Sequence, residues 1–543
     1  MKAGIVFLQA VASVSAAQAL DCSIKTLQSA LPANATVLAA DLVPENGTYG
    51  QGAADIAYPT NPTSLPALCA VTVNVTSSST SSFIFGLFLP TQWNDRFLAL
   101  GNGGFAGGIN WLDMGSGVGY GFASMSTDTG HNSTSGDGSW ALDKPEKLTD
   151  WGWRAMHGSV VLAKELTKTY YGSEIKYSYY SGCSTGGRQG LKSAQKFPDD
   201  FDGVLVGAPA WWTTHLQTWT IKVGTYNVPA TAAHHIPTTL FPVIAAEVLK
   251  QCDGADGLKD SIITDPRRCA FNREALLCGG HSNSSSCLTP AQLTTLDRIY
   301  ADYTDVNQTF VAPALSLGSE SQWFVLLGND APNALGPDYV KYFLQEPSFD
   351  WHNFDYSVVQ RAEAVDPGDA TADDFAALAD FADKGGKLLH YHGWADALIP
   401  TRFSTHFHSQ VQRALSARDA PLEDWYRFFL IPGMQHCSGT PEDMAAPWYI
   451  GGANQAGEFN AGAGARGVPG CTDAKHDALL ALVAWVEQGQ AVDQIVATKF
   501  VDETNLEKGV KRQRPICAWP KEATYTGEGD VNSVESWECK KLY

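Results

Sequence analysis

Ten residues, Ser181-Gly182-Cys183-Ser184-Thr185-Gly186-Gly187-Arg188-Gln189-Gly190, constrain this chain more than any other stretch. Their core reads Gly-x-Ser-x-Gly with Ser184 at the centre. An apolar, aromatic run at 175–180 leads in, and a helical pattern (Leu191, Ala194, Phe197) leads out. Strand, sharp turn and helix in that order present a serine hydroxyl at the carboxyl edge of a sheet, and only glycine fits beside it in so tight a turn. The pentapeptide alone is a common turn. Its context makes Ser184 a candidate nucleophile.

A serine nucleophile needs a base, and the base needs an orienter. Residues 387–392 read as a short apolar strand opening into Gly393-Trp394-Ala395-Asp396. A helical pattern follows at 403–415, then a strand at 425–431 that opens into Pro432-Gly433-Met434-Gln435-His436-Cys437. Strand, crossover helix and strand make one right-handed parallel unit. Asp396 and His436 then lie on loops at the carboxyl edge, where open α/β sheets place their sites. The order Ser184, Asp396, His436 is the one expected of an α/β-hydrolase. Cys183 immediately precedes Ser184, and Cys437 immediately follows His436. Joined by a disulfide, their Cα atoms would sit about 5.5 Å apart and hold nucleophile and base side by side.

The strand at 96–100 runs into Gly101-Asn102-Gly103-Gly104-Phe105-Ala106-Gly107-Gly108. Glycine density of this kind lets backbone N–H groups face a ligand. An α/β-hydrolase takes one oxyanion donor from such a loop and one from the residue after the nucleophile, which points to Thr185 and to Gly103 or Gly104. The Gly-Lys-Ser/Thr ending of a phosphate loop is missing.

Elsewhere, 71–75 and 83–89 read as a hairpin around a polar turn, 119–125 as a strand, 150–171 as a long amphipathic helix and 201–210 as a further strand. Residues 22–66 show no strong element. The hydrolase pattern breaks at about 210 and resumes at about 385, so 210–384 reads as an inserted lid domain. The catalytic domain is then discontinuous, 20–209 and 385–543. Trp211, Trp212, Trp219, Trp323 and Phe324 fit the core of that lid better than an aromatic cleft. The paired His234 and His235, and His390, His392, His406 and His408, read as packing or hydrogen-bonded residues, because no zinc-ligand spacing is present.

Within the insertion, Cys252-Asp253-Gly254-Ala255-Asp256-Gly257-Leu258-Lys259-Asp260-Ser261-Ile262 brings three carboxylates into one glycine-punctuated turn. Such carboxylates repel unless a cation gathers them, and Ca²⁺ accepts oxygen ligands in a loose shell. The spacing is not that of an EF-hand, and a solvated acidic turn explains the residues as well as calcium does.

The net charge of −20 argues against nucleic acid and anionic membranes as partners. Residues 1–19 read as a signal peptide: Lys2, an apolar stretch and Ala17-Gln18-Ala19 as cleavage site. No later apolar run is long enough to span a bilayer. Six Asn-x-Ser/Thr sequons, at Asn34, Asn46, Asn74, Asn132, Asn283 and Asn307, fit an extracellular route. Eleven cysteines in a secreted chain pose a disulfide question whose connectivity spacing alone does not fix.

Gly-Cys-Ser-Thr-Gly-Gly-Arg-Gln-Gly together with Gly-Met-Gln-His-Cys resembles the tannase/feruloyl esterase family, over nearly the whole mature chain. The Ser-Thr-Gly-Gly-Arg-Gln-Gly version is most similar to the fungal type-B feruloyl esterases. The resemblance implies a secreted serine esterase with Ser184, Asp396 and His436 as catalytic residues and no organic cofactor. The implied substrate is a hydroxycinnamoyl ester on plant cell-wall polysaccharide, with galloyl esters of the tannase type as the alternative. It also implies pairs Cys183–Cys437, Cys22–Cys69, Cys252–Cys269, Cys278–Cys287 and Cys517–Cys539, leaving Cys471 over. It implies structural calcium held by Asp253, Asp256, Asp260 and the backbone carbonyls of Leu258 and Ile262. A reading of another class, a catalytically inactive calcium-stabilised binding protein, would fit loss of Ser, Asp or His; all three are present.

Overall fold

Short runs of β-branched and aromatic residues become the strands of one nine-stranded sheet. The structure is a computed structural model describing residues 20–279, 286–452, 454–455 and 472–541. The expected leader at 1–19, Asn283 and Cys471 lie outside the described residues. In chain order the first seven strands are β1 (Ala35–Val43), β2 (Leu68–Thr76), β3 (Ser82–Pro90), β4 (Arg96–Leu100), β5 (Ala123–Thr127), β6 (Tyr177–Cys183) and β7 (Gly203–Gly207). An insertion follows, which carries the ribbon of β8 (Tyr303–Thr304) and β9 (Phe310–Ala312). The sheet is completed by β10 (Lys387–Gly393) and β11 (Tyr426–Ile431), in the order β1-β2-β3-β5-β4-β6-β7-β10-β11.

From β5 onward every neighbouring pair is parallel, and before it every pair is antiparallel. The parallel strands are covered on both faces, which is why β7 reads as an unbroken buried run rather than an alternation. The covering helices include Ala155–Tyr171, Thr185–Lys196, Arg402–Ala414 and Ala478–Gln488. This is the α/β-hydrolase architecture read from the motifs, and its strand ends gather the candidate residues on one edge.

Two local expectations are corrected. Residues 22–66 do contain a strand: β1 pairs with β2, and the Cys22–Cys69 disulfide ties the segment before β1 to β2 opposite Leu42. The segment beginning at Gly119 is not strand from its start. A helix, Trp111–Gly119, precedes β5, which begins only at Ala123. Two of its three glycines permit close packing: a Cβ on Gly115 would meet Pro62, and one on Gly117 would meet Ser124. The expected hairpin forms as β2 and β3, and the long helix at 150–171 begins with a π-turn, Asp150–Arg154.

The insertion between β7 and β10 is largely helical. Trp211, Trp219 and Trp323 are buried in its packing, while Phe324 is 59% exposed. The C-terminal hairpins, β12 (Gln494–Phe500) with β13 (Val510–Cys517) and β14 (Lys521–Tyr525) with β15 (Trp537–Lys541), reach back onto it. Arg514 pairs with Asp260, and Glu522 with Arg268. The five expected disulfides are all present: Cys22–Cys69, Cys183–Cys437, Cys252–Cys269, Cys278–Cys287 and Cys517–Cys539.

Candidate active site

Ser184 stands between β6 and the helix Thr185–Lys196 with φ 63° and ψ −125°, a left-handed backbone that a non-glycine residue rarely holds. The turn is fixed from both sides. The Ser184 N–H donates to the Gly207 carbonyl at 3.0 Å, and the Ser184 carbonyl accepts from Arg188 and Ala210. The flanking glycines are steric requirements, since a Cβ at Gly182 would come within 2.8 Å of the Gly186 backbone. The strain is therefore held by β6, β7 and the following helix together.

Asp396 follows β10 and His436 follows β11, so the crossover unit brings both to the edge that carries Ser184. His436 Nδ1 lies 2.7 Å from Asp396 Oδ2. A carboxylate only accepts, so Nδ1 carries a proton, and in the neutral imidazole Nε2 keeps its lone pair. Burial pushes the Asp396 carboxyl up. The positive charge that His436 carries when protonated, together with the hydrogen bonds from His392 and His436, outweighs it and holds the group well below the usual carboxylate range. The other oxygen, Oδ1, accepts from the N–H groups of Leu398 and Ile399 at 2.8 and 2.9 Å. Cys183 and Cys437 are bonded with Cα atoms 5.9 Å apart, across 254 residues of chain. The residue before Ser184 is thereby covalently joined to the residue after His436.

The glycine loop after β4 lies against the elbow helix through a contact the sequence did not announce. Gln189 Oε1 accepts from the Asn102 N–H at 3.0 Å, and Gln189 Nε2 donates to Asn102 Oδ1 at 3.1 Å. Asn102 Nδ2 donates to the carbonyls of Gly108 and Thr127. The two candidate donors in this loop are distinct. The Gly103 N–H donates to the Tyr58 hydroxyl at 2.9 Å. Among the described residues, neither the Gly104 nor the Thr185 N–H has a protein acceptor. Arg188, fully buried, bonds the carbonyls of Trp151, Gly152 and Ala370 and lies over the Trp151 ring; desolvation lowers its pKa to about 10. The Arg-Gln of the motif thus anchors the elbow helix to its surroundings.

The insertion reaches both loops. Gln322 Oε1 accepts from the Ala397 N–H at 3.0 Å, and Gln435 Nε2 donates to Ser321 Oγ at 2.9 Å. Beside these contacts opens a cleft of about 630 Å³ whose walls include Phe241, Pro242, Ala245 and Phe324, with Glu442 and Asp443 at its rim.

In the acidic loop, Asp253 Oδ1 accepts from the N–H groups of Asp260 and Ile262, and Asp256 accepts from the Leu258 N–H and the Thr264 hydroxyl. Burial raises the Asp253 pKa, and the nearby Asp256 charge adds to it. Arg514, 2% exposed, pairs with Asp260, while its Nε and Nη1 have no hydrogen-bond partner among the described residues. The oxygen chemistry suits a hard cation. Among the described residues, however, no three acidic, His or Cys side chains converge as a ligand set. Of the sequons described, Asn34, Asn46, Asn132 and Asn307 are exposed and Asn74 is half-buried. Among the described residues no helix is long and apolar enough to cross a membrane.

Residues 69–540 match the family model described as tannase and feruloyl esterase. A probable feruloyl esterase B-1 of Aspergillus oryzae is 36% identical over 480 residues, 88% of this chain and 84% of the relative. A probable feruloyl esterase B-1 of Aspergillus flavus is 34% identical over 500 residues, 90% of this chain and 91% of the relative. The crystal structure of feruloyl esterase B from Aspergillus oryzae superposes with a TM-score of 0.86 at 34% identity, covering 95% of this chain and 99% of that one. Tannin acyl hydrolase from Aspergillus niger shares the fold, with a TM-score of 0.72 at 22% identity over 96% and 95% of the two chains. Motif, architecture and similarity agree, and the chain belongs to the tannase and feruloyl esterase family.

Proposed function

We propose that this protein is a secreted serine ester hydrolase that releases ferulate or a related hydroxycinnamate from plant cell-wall esters through an acyl-enzyme. The observation that carries the mechanism is the Cys183–Cys437 bond between the neighbours of Ser184 and His436, with Asp396 on the far nitrogen of His436. The relatives named feruloyl esterase B support the acyl group. The mostly apolar cleft that holds Phe324, joined to the His436 loop through the Gln435–Ser321 contact, is suited to an aromatic acid.

In this mechanism the Ser184 Oγ attacks the ester carbonyl as its proton passes to His436 Nε2. Asp396 keeps the imidazole in the Nδ1–H tautomer and stabilises its positive form. The N–H groups of Thr185 and Gly104 stabilise the tetrahedral oxyanion, a contribution of about 3 kcal/mol per donor. The carbonyl–alkoxy bond then breaks, and His436 gives its proton to the leaving alcohol. Water, deprotonated by His436, attacks the acyl-enzyme; breaking the Ser184 ester bond returns the proton to Oγ and releases the acid. Gly103, its N–H held by Tyr58, keeps the loop in place.

The acidic loop is read as a structural calcium site of Asp253, Asp256, Asp260 and the carbonyls of Leu258 and Ile262, with Arg514 as the competing internal cation. No catalytic step passes through it. Chelation that lowers the melting temperature, reversed by added Ca²⁺, supports the site; an unchanged melt assigns the neutralisation to Arg514 alone. The exposed sequons and the disulfides support a glycosylated, extracellular protein.

Hydrolysis of methyl ferulate against methyl gallate, with Ser184→Ala in parallel, tests the function. Ferulate turnover lost in the variant is the expected result. A preference for gallate would replace the feruloyl reading with the tannase one, and turnover unaffected by Ser184→Ala would overturn the mechanism.

A further inference from the structure

Asp396 is bonded by two histidines, and the proposed mechanism uses one of them. His392, on β10 and fully buried, places Nε2 2.9 Å from Asp396 Oδ2, the same oxygen that His436 reaches. Nε2 also lies 3.0 Å from the Ile399 carbonyl. Both neighbours are acceptors, so the Nε2 proton is present.

Behind His392 the chain of contacts continues without a gap. His392 Nδ1 is 2.7 Å from Ser404 Oγ, Ser404 Oγ is 2.8 Å from His390 Nε2, and His390 Nδ1 is 2.8 Å from the Tyr426 hydroxyl. Tyr426 is 2% exposed, and His390 and Ser404 are wholly buried. With both imidazoles neutral, only one arrangement of protons satisfies every contact. Tyr426 O–H donates to His390 Nδ1, His390 Nε2–H to Ser404 Oγ, Ser404 O–H to His392 Nδ1, and His392 Nε2–H to Asp396. Burial, with His392 and His408 nearby, pushes the His390 pKa well below its ordinary value, which agrees with the neutral state this direction needs.

We propose that His392 is a positioning residue for the hydrolysis, its tautomer dictated through Ser404 by His390 and Tyr426. The inference rests on the reading of Ser184, His436 and Asp396 as a triad. Its physical content is that Oδ1 is held by two backbone N–H groups and Oδ2 by His392. The carboxylate therefore does not rotate when His436 swings or charges, and its basicity is moderated by the second donor. Ser404 acts one step further back. Without its proton on Nδ1, the reversed His392 tautomer would point a lone pair at Asp396.

The test compares His392→Leu, His392→Gln and Ser404→Ala with wild type and Ser184→Ala, by steady-state kinetics over pH on methyl ferulate, each variant first checked for a cooperative melt. Loss of one charge-assisted hydrogen bond predicts that kcat of His392→Leu falls about 10- to 100-fold, with KM little changed. Glutamine can place an N–H where Nε2 stands, so His392→Gln is expected to stay within about fivefold of wild type. Ser404→Ala is expected to lie between the two. With one donor removed from Oδ2, the carboxylate holds imidazolium more strongly, so the acid limb of kcat/KM moves to higher pH in His392→Leu. The titratable groups facing this point are His390, His392 and Asp396 on β10 and its loop, His408 on the adjoining helix, Tyr426 on β11 and His436. A purely structural role would lower activity equally at every pH and would leave His392→Gln as impaired as His392→Leu, which overturns the proposal. Wild-type kinetics in a folded His392→Leu overturns it as well. Should His392→Leu not fold, the rescue in His392→Gln and the intermediate loss in Ser404→Ala still decide, and both absent overturns it. Activity retained in Ser184→Ala is a separate result, which removes the triad itself.

Discussion

Asp396 at the sheet edge and Asp260 in the insertion are both buried carboxylates, 0% and 5% exposed, and they are stabilised differently. Asp260 pairs with a full cation, Arg514, itself 3% exposed at the side chain. Asp396 has no Lys or Arg partner among the described residues; it accepts two backbone N–H groups and two imidazoles. A carboxylate neutralised by a fixed guanidinium has little field left for a neighbour. One held by neutral dipoles keeps its charge available for the imidazolium that forms beside it. The first arrangement ties the C-terminal hairpins to the insertion. The second leaves an acceptor poised for His436.

The contrast is broken most sharply by changing each carboxylate's partner. Asp396→Asn is expected to lower kcat on methyl ferulate about 10⁴-fold while preserving the fold, because the amide favours the wrong His436 tautomer. Steady-state kinetics beside a circular dichroism melt measure both. Arg514→Ala, measured with a calcium chelator present, should do the reverse, costing about 3–5 kcal/mol of stability by leaving the buried Asp260 charge unpaired. Turnover per folded molecule should change little. Denaturant unfolding checks this, and Asp260→Asn added to Arg514→Ala should recover part of the loss.

The Cys183–Cys437 bond joins chemistry to stability, so its removal should register in both. Cys183→Ser with Cys437→Ser is expected to cost about 2–4 kcal/mol. It should also lower kcat by tenfold or more through misplacement of about 1 Å, read by unfolding and kinetics on the same sample. The smallest effect is in pH. The folded pKa of Asp396 lies below its unfolded value of about 3.9, so its contribution to stability is present above that pH and is lost as pH falls below it toward the folded value. The melting-temperature difference between wild type and Asp396→Asn should therefore shrink below about pH 4 and stay constant above pH 5.

What was legible in the sequence follows range. The elbow, the two loops after β10 and β11, and the cysteines beside Ser184 and His436 carry their meaning in residues next to one another. The Ser184 turn needs its glycines locally, and so they appear in the motif. β1 was not legible, since its pattern alternates weakly and leaves Leu38 and Leu42 exposed; pairing with β2 makes it a strand. The helix Trp111–Gly119 was hidden by glycines whose role is close packing against Pro62 and Ser124. Tyr58 on Gly103, Gln189 on Asn102 and the line from Tyr426 to Asp396 join residues that meet only through packing and strand register. His390 and His392 read from the sequence only as packing or hydrogen-bonded residues; they are hydrogen-bonded, to partners that spacing does not name.

The most direct test of the mechanism is rapid quenching of the enzyme with methyl ferulate, followed by peptide mass spectrometry. A feruloyl ester on Ser184, accumulating in the first turnover and absent from Ser184→Ala, is the predicted result. Ferulate release by wild type with no adduct on Ser184, and undiminished release by Ser184→Ala, would contradict the account.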